Sequence, residues 1–310
     1  MKREEFYFDS ADGKNSIRAL RLIPDQKPVG VLQIAHGMAE YIDRYQEFAE
    51  YLCDKGYIVT GNDHLGHGGS VKTNDDLGYI GSLTGYKLVV DDMFKLTQIT
   101  KELFPDLKYF LLGHSMGSFL CRYYLFTYGF ELDGAIVMGT GQQAKAALSV
   151  AKTLTKSVAA TKGWHYRSTM LNALATGSYN KKWEPSVSHV DWLTKDEKIV
   201  AKYFNEPKCG FTFTTDGFYN LFSLLDEIVD KENINRMPKD LPILITSGAD
   251  DPVGNFSKDP IAVEKIFKEI GMMDVSLKLY ENDRHEILNE TDKKAVYKNI
   301  YNWLENKRLK

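Results

Sequence analysis

Residues 109–117 read Tyr-Phe-Leu-Leu-Gly-His-Ser-Met-Gly. The first four residues of this stretch are typical of a buried strand, and they run directly into the pattern Gly-x-Ser-x-Gly. Apolar residues then recur at helical spacing: Phe119, Leu120, Tyr123 and Tyr124. A serine on a tight strand-to-helix turn exposes its hydroxyl, and the helix N-terminus behind it favours developing negative charge. Ser115 is therefore the candidate nucleophile, and the alternative is an ordinary glycine-rich turn.

Strands and helices alternate along most of the chain. Two strands near 5–8 and 17–22 are joined at Asp12-Gly13, a hairpin-type turn signal. Further strands are predicted at 29–34, 57–60, 109–112, 132–138, 242–246 and 275–280, and helices at 45–52, 86–103, 119–124, 217–229, 261–270 and 295–304. Such alternation predicts an α/β fold, a mostly parallel sheet with helices on both faces.

The alternation stops between residues 140 and 216. No segment there resembles a central strand, and an Ala/Lys/Thr-rich helical pattern covers 144–161. An aromatic and apolar cluster follows: Trp164, Tyr166, Met170, Leu171 and Leu174. We interpret 140–216 as a helical cap, or lid, inserted into a core made of residues 1–139 and 217–310. Apolar cap residues pack more often than they line a pocket, but a cap over a serine site points to an apolar substrate.

A serine hydroxyl becomes a good nucleophile only when a base accepts its proton and a carboxylate orients that base. His285 is the predicted base. It follows the last predicted strand and is the only histidine beyond His189. The alternative is a solvent-exposed loop histidine.

The orienting carboxylate is expected in the loop after the strand at 242–246, where Asp250 and Asp251 are adjacent and point in different directions. We favour Asp251, because Pro252 fixes the turn so that the aspartate can lean toward His285. The other aspartate would then cap the turn by accepting backbone hydrogen bonds. Asp283 is a less favoured candidate for the orienting carboxylate, because it lies only two residues before His285.

Two backbone N–H groups usually bind the oxyanion of a tetrahedral intermediate. The candidates are the amide of Met116, directly after the nucleophile, and the amide of Met38, after His36-Gly37. We expect His36 to shape this loop, with or without a contact to substrate.

The loop Asp63-His64-Leu65-Gly66-His67-Gly68 contains residue types that bind metals. One aspartate and two histidines without a fourth ligand are weak as a metal site, so we expect hydrogen bonds that stabilise the loop. No metal and no cofactor is predicted.

Composition restricts partners and location. The net charge of −3 gives no reason to expect nucleic acid or an anionic membrane as a partner. Cys53, Cys121 and Cys209 are widely spaced, which favours free thiols in a reducing compartment. No apolar run suits a signal peptide or a membrane span. The sequence therefore predicts a cytoplasmic protein without a transmembrane segment, and it permits transient contact with a membrane surface.

With these motifs in order, the chain resembles the α/β-hydrolase superfamily over nearly its whole length. Within it, the chain is similar to the monoacylglycerol lipase and lysophospholipase group, which is classified with the serine aminopeptidases. The resemblance is carried by His36-Gly37-Met38-Ala39-Glu40 with Arg44-Tyr45, by the loop 63–68, by 113–117, by 248–253 and by Arg284-His285-Glu286. It implies an eight-stranded sheet, the triad Ser115-Asp251-His285, and oxyanion donors at Met38 and Met116.

The expected activity is hydrolysis of a carboxylic ester with an apolar acyl group, such as a monoacylglycerol or a lysophospholipid, through an acyl-enzyme. One alternative is an aminopeptidase or amidase with the same triad. Another is a binding protein with the hydrolase fold and no turnover. The natural substrate, the acyl chain length and the oligomeric state are not predicted.

Overall fold

The fold is built on an eight-stranded sheet, in a computed structural model that describes residues 1–183 and 188–309. The strands are β1 (Lys2–Asp9), β2 (Ser16–Ile23), β3 (Gly30–Ala35), β4 (Tyr57–Asn62), β5 (Tyr109–His114), β6 (Gly134–Met138), β7 (Ile243–Gly248) and β8 (Val275–Tyr280). Their spatial order is β1-β2-β4-β3-β5-β6-β7-β8. β2 is antiparallel to both neighbours, and the other neighbouring pairs are parallel. The predicted mostly parallel, eight-stranded sheet is confirmed.

Helices cover both faces of the sheet. They are α1 (Gln46–Cys53), α2 (Gly85–Leu103), α3 (Met116–Tyr128), α4 (Lys145–Lys162), α5 (Thr169–Thr176), α6 (Glu197–Asn205), α7 (Thr215–Ile228), α8 (Lys231–Asn235), α9 (Lys258–Glu269) and α10 (Lys293–Arg308). Phe110 and Leu112 of β5 pack with α1 and α10, whereas Tyr109 and Leu111 pack with α2, α3 and α9. Because both faces are buried, β5 is apolar at successive positions instead of alternating.

The predicted elements agree with the structure to within a few residues, and the differences have local causes. α7 begins at Thr215 rather than at Gly217, because the Thr214 hydroxyl accepts a hydrogen bond from the Gly217 amide at 3.1 Å and caps the helix. The short helix α8 was not predicted, and Asp230 caps it in the same way. The three cysteines are free and buried.

The described residues between β6 and β7 contain helices and no strand. α4 packs against α7, and Lys152 of α4 pairs with Asp226 of α7 at 2.5 Å. A second attachment joins residues 188–196 to the loop after β8, where the Glu286 amide donates to the Leu193 carbonyl at 2.7 Å. None of the described helices is long and apolar enough to cross a membrane.

The turn between β5 and α3 depends on close backbone packing. A Cβ atom on Gly117 would lie 2.0 Å from the carbonyl oxygen of Ala35, and one on Gly113 would lie 2.1 Å from the carbonyl oxygen of Gly117. Both glycines have ordinary backbone angles, whereas Ser115 between them has a φ of 55°. The glycines are therefore required by space, and the strained conformation belongs to the serine.

We predict that Gly117→Ala destabilises the protein, although alanine normally favours a helix by about 1 kcal/mol over glycine. The new methyl group would force α3 away from the end of β3, at a cost of about 3 kcal/mol or more. Gly13→Ala is the control, because a Cβ there meets nothing within 4 Å and only the positive φ of 67° is unfavourable. Its cost should be about 1–2 kcal/mol. Chemical denaturation measures both, and an equal or smaller loss for Gly117→Ala would contradict the packing argument.

Candidate active site

Ser115 lies on the turn between β5 and α3, partly exposed to a large cavity. Its φ of 55° and ψ of −123° are rare for a residue with a side chain. Its amide donates to the Met138 carbonyl at 3.0 Å, which fastens the turn to the end of β6. The hydroxyl is thus presented at the carboxyl edge of the sheet, as the sequence pattern predicts. Its role as nucleophile stays a prediction that this geometry suits.

His285 and Asp251 meet at the same edge. The distance between His285 Nδ1 and Asp251 Oδ1 is 2.9 Å, and both side chains are buried. The carboxylate can only accept, so Nδ1 carries the hydrogen and Nε2 keeps its lone pair. The Trp192 ring packs against His285 with ring centroids 5.0 Å apart. His285 also lines the cavity that Ser115 lines.

Asp251 is held as a carboxylate by its hydrogen bonds. Its oxygens accept from the Val253 amide at 2.8 Å and from the Ser247 hydroxyl at 3.0 Å, in addition to His285. Burial alone would raise the pKa of Asp251, but His285, Val253 and Ser247 together lower that pKa below its usual value. Asp251 is therefore suited to orient an imidazole and to stabilise its protonated form.

The two rival aspartates have other partners. Asp250 pairs with Lys182 at 2.6 Å, and Asp283 pairs with Lys195 at 2.7 Å. Neither makes a hydrogen bond to His285 among the described residues. Of the three carboxylates considered from the sequence, the structure brings only Asp251 to the imidazole.

Met38 and Met116 line the same cavity as Ser115. Within the part of the chain that the structure describes, neither of their backbone amides donates to another protein group. The loop of Met38 lies close to the serine, since a Cβ on Gly37 would be 3.1 Å from the Ser115 Cβ. Two free amides beside the serine suit an oxyanion hole, and this assignment stays a prediction.

His36 and the loop 63–68 form a buried unit behind Met38. His36 Nε2 accepts from the His64 amide at 3.0 Å, and the His36 and His64 rings lie 4.0 Å apart. Asp63 accepts from the amides of Ile42 at 2.9 Å and Gly69 at 2.6 Å. These side chains serve the loop-stabilising hydrogen bonds that the sequence favours.

The cavity has a volume of about 1400 Å³ and two kinds of wall. An apolar wall is formed by Phe119 of α3, by α4 and by α7: Leu148, Ala151, Leu221, Phe222 and Leu225. Polar residues lie near His285, among them Thr194, Lys195 and Arg284. Of the five apolar residues singled out at 164–174, only Leu174 lines the cavity. Tyr166 and Met170 are exposed, and Leu171 is buried in the core.

A group of buried charges beneath the site was missed from the sequence. Glu40, Arg44 and Glu286 form ion pairs beside His285. The four-residue spacing of Glu40 and Arg44 was an available signal, because acidic and basic residues at that spacing commonly pair on a helical turn. The position of Glu286 directly after the predicted base was another. Neither signal indicates that the three side chains converge.

A mostly parallel sheet with a serine on the turn after β5, an aspartate after β7 and a histidine after β8 defines an α/β-hydrolase fold. Residues 26–292 match the family model described as "Serine aminopeptidase, S33", and the chain belongs to this family. The monoacylglycerol lipase of Mycolicibacterium smegmatis is 26% identical over 91% of this chain and 90% of its own length. Phospholipase YtpA of Bacillus subtilis is 24% identical over 88% of this chain and 93% of its own.

A solved structure is similar over its whole length. The thermostable carboxyl esterase from Bacillus coagulans, crystallised with glycerol, is 29% identical, covers 99% of both chains and has a TM-score of 0.92. The predicted resemblance to the monoacylglycerol lipase and lysophospholipase group is confirmed, and the chain is a carboxylic-ester hydrolase.

We predict that Asp251→Asn lowers kcat by about 10⁴-fold, because the amide no longer selects the right tautomer or stabilises the imidazolium. Asp250→Asn should change kcat by less than about fivefold, since an exposed ion pair contributes at most about 1 kcal/mol. Steady-state kinetics on one activated ester measures both variants. A larger loss for Asp250→Asn would transfer the orienting role to that residue, and equal mild losses would point to Asp283.

Proposed function

We propose that the chain hydrolyses carboxylic esters with an apolar acyl group, such as a monoacylglycerol or a lysophospholipid. Ser115 is the nucleophile, His285 the general base and Asp251 the orienting carboxylate. The single observation that carries the proposal is the 2.9 Å contact between His285 Nδ1 and Asp251, in a cavity that Ser115 also lines. It leaves His285 Nε2 free to accept a proton from the serine.

The reaction follows in two steps. As His285 takes the hydroxyl proton, Ser115 Oγ attacks the ester carbonyl, and the amides of Met38 and Met116 bind the oxyanion. The protonated His285 then gives its proton to the departing alcohol, which leaves an acyl group on Ser115. A water molecule, activated by His285, hydrolyses this acyl-enzyme and restores the serine.

We also propose that residues 140–216 form a cap, and that the acyl group lies between it and the core. Support comes from the apolar wall, in which α4 supplies Leu148 and Ala151 and α7 supplies Phe222. The polar residues near His285 suit a hydroxylated or phosphorylated head group. The names of the relatives, a monoacylglycerol lipase and a phospholipase, agree with a cavity that has an apolar region for an acyl group and a polar region for a head group.

An aminopeptidase is the second candidate, because the family description names that activity. It would need a carboxylate to bind a substrate ammonium group. Glu40 and Glu286 line the cavity but are both paired with Arg44, and Asp191 accepts from the Ser188 hydroxyl at 2.8 Å. A further lining carboxylate, Glu197, is exposed to solvent. Three of these carboxylates already have protein partners and the fourth is solvated. The cavity lining therefore favours esters over substrates with an ammonium group.

The proposal is tested with p-nitrophenyl esters and aminoacyl anilides. We expect ester hydrolysis to dominate, and Ser115→Ala to lower kcat by about 10³-fold or more while abolishing fluorophosphonate labelling. Circular dichroism and the melting temperature of the variant serve as controls for folding. Labelling retained by Ser115→Ala would refute the nucleophile, and faster turnover of the anilides would favour the peptidase.

The acyl pocket is tested with two substitutions on α4. Ala151→Phe should narrow the cavity, so that each methylene that no longer fits costs about 0.8 kcal/mol, or about fourfold in kcat/KM. Val150→Phe is the matched control, because Val150 is exposed on the same helix. We expect only Ala151→Phe to lower kcat/KM for long acyl chains relative to short ones. An unchanged chain-length profile would place the acyl group elsewhere.

Transient contact with a lipid surface is compatible with exposed apolar side chains on the proposed cap: Leu174 and Phe204. Such contact would bring the mouth of the cavity to its substrate. Both this contact and a cytoplasmic location stay predictions.

A further inference from the structure

Five residues form a buried cluster beneath the candidate base: Glu40, Arg44, Tyr45, His114 and Glu286. We call this group the His114 cluster. Arg44 binds Glu286 through both of its terminal nitrogens at 2.7 Å and also binds Glu40. The Tyr45 hydroxyl lies 2.8 Å from Glu40 Oε1 and 2.9 Å from His114 Nδ1. His114 Nε2 lies 3.2 Å from the carbonyl oxygen of His285.

The hydrogen bonds of this cluster determine where its hydrogens lie. A carbonyl oxygen only accepts, so His114 Nε2 carries a hydrogen and donates it to His285. A carboxylate also only accepts, so Tyr45 donates its hydrogen to Glu40. With Glu40 ionised, the lone pair of the Tyr45 oxygen faces His114 Nδ1, which then carries a hydrogen as well. A ring with hydrogens on both nitrogens is an imidazolium.

The charges of the cluster lead to the same result. With a neutral His114, the two carboxylates of Glu40 and Glu286 would share one guanidinium, which leaves an uncompensated negative charge in the interior. In the alternative arrangement, the proton lies on the Glu40 carboxyl group and not on His114 Nδ1. This arrangement is disfavoured because Glu40 also accepts from Arg44 and, at 2.5 Å, from the Gly37 amide.

We propose that His114 is a positioning residue for His285 and acts as a buried imidazolium. Its Nε2–H group holds the backbone of the base, while its own main chain leads directly into Ser115. The nucleophile and the base are thus connected through one side chain. The proposal rests on the proposed triad for its catalytic meaning, but the protonation state can be measured without any turnover.

The groups that face His114 come from three segments. They are Glu40 from the loop after β3, Arg44 and Tyr45 from the turn before α1, and His285 and Glu286 from the loop after β8. Burial alone would lower the pKa of His114, but the carboxylates outweigh burial and raise that pKa above its usual value. A raised pKa widens the pH range over which the charge is present, and the charge is lost as pH rises through the raised value.

The imidazolium also affects the base directly. The rings of His114 and His285 lie 4.7 Å apart. At that distance the charge on His114 lies beside the base as well as behind its backbone, so the ring of His285 is in the electrostatic field of the imidazolium. If His114 were merely structural, removal of its charge would leave the pH profile of the reaction unchanged.

The protonation state is tested on the native protein by nitrogen NMR of ring-labelled histidine. The chain has seven histidines, and His114→Gln or His114→Asn assigns the signal by its loss. We expect a doubly protonated ring for His114 at pH 7. A neutral tautomer at pH 7 would overturn the proposal, whether or not the triad is correct.

Kinetics test the positioning role. His114→Gln keeps a donor for the His285 carbonyl but removes the charge. We expect kcat to fall by up to about 10²-fold with little change in KM, because a small displacement of a catalytic group has that effect. The acid limb of kcat/KM should move to higher pH. The control is His165→Gln, because His165 is exposed and stacks on Tyr79 away from the cavity lining.

Removal of the Glu40 carboxylate, whose charge His114 balances, completes the test. Glu40→Gln in the His114→Gln background restores the balance of buried charge, so the double variant should recover part of the lost kcat and return the acid limb toward its original position. Additive losses, or a loss of kcat with an unmoved acid limb, would overturn the positioning role. A failure of Ser115 to react with a fluorophosphonate would instead reject the proposed function and leave the NMR result standing.

Discussion

The close approach of α3 to the end of β3 determines the geometry of the candidate site. Gly117 permits this approach, because any side chain there would collide with the Ala35 carbonyl. The approach brings the N-terminus of α3 beside the loop that follows β3, so Met116 and Met38 line the same cavity as Ser115. The strained backbone of Ser115 is maintained by the strands and the helix on either side. Steric packing thus places the proposed oxyanion donors before any electrostatic interaction is considered.

Buried charge supplies the second constraint. Three loops converge at the carboxyl edge of the sheet, and loops at such an edge have few apolar contacts to fix them. Arg44 joins two of them, because it binds Glu40 after β3 and Glu286 after β8. Removal of one partner would leave an unpaired charge in the interior, at a cost of about 3–5 kcal/mol. The relative position of the Met38 loop and the His285 loop is therefore determined by ion pairs, which are more directional than apolar contacts.

Much of the fold could be predicted from the sequence, because each strand buried on both faces is a short apolar run between turn signals. The positions of Ser115, Asp251 and His285 followed from their places after strands. The His114 cluster could not be predicted, since Glu40, His114 and Glu286 come from three distant segments and local patterns carry no information on their convergence. The pocket lining was only partly anticipated for a similar reason. Leu148 and Ala151 line the cavity while Met170 does not, and this depends on how α4 packs against α7.

The proposed cap and the proposed base are mechanically connected. The His285 amide donates to the Trp192 carbonyl at 3.4 Å, and the Glu286 amide donates to the Leu193 carbonyl at 2.7 Å. Trp192 and Leu193 therefore hold the backbone amides of His285 and Glu286. His114 holds the carbonyl oxygen of His285. Any displacement of residues 190–195 to admit a substrate would strain these hydrogen bonds and disturb the geometry of His285. Residues 190–195 are therefore expected to stay in place while the acyl group enters, so that the base keeps its position.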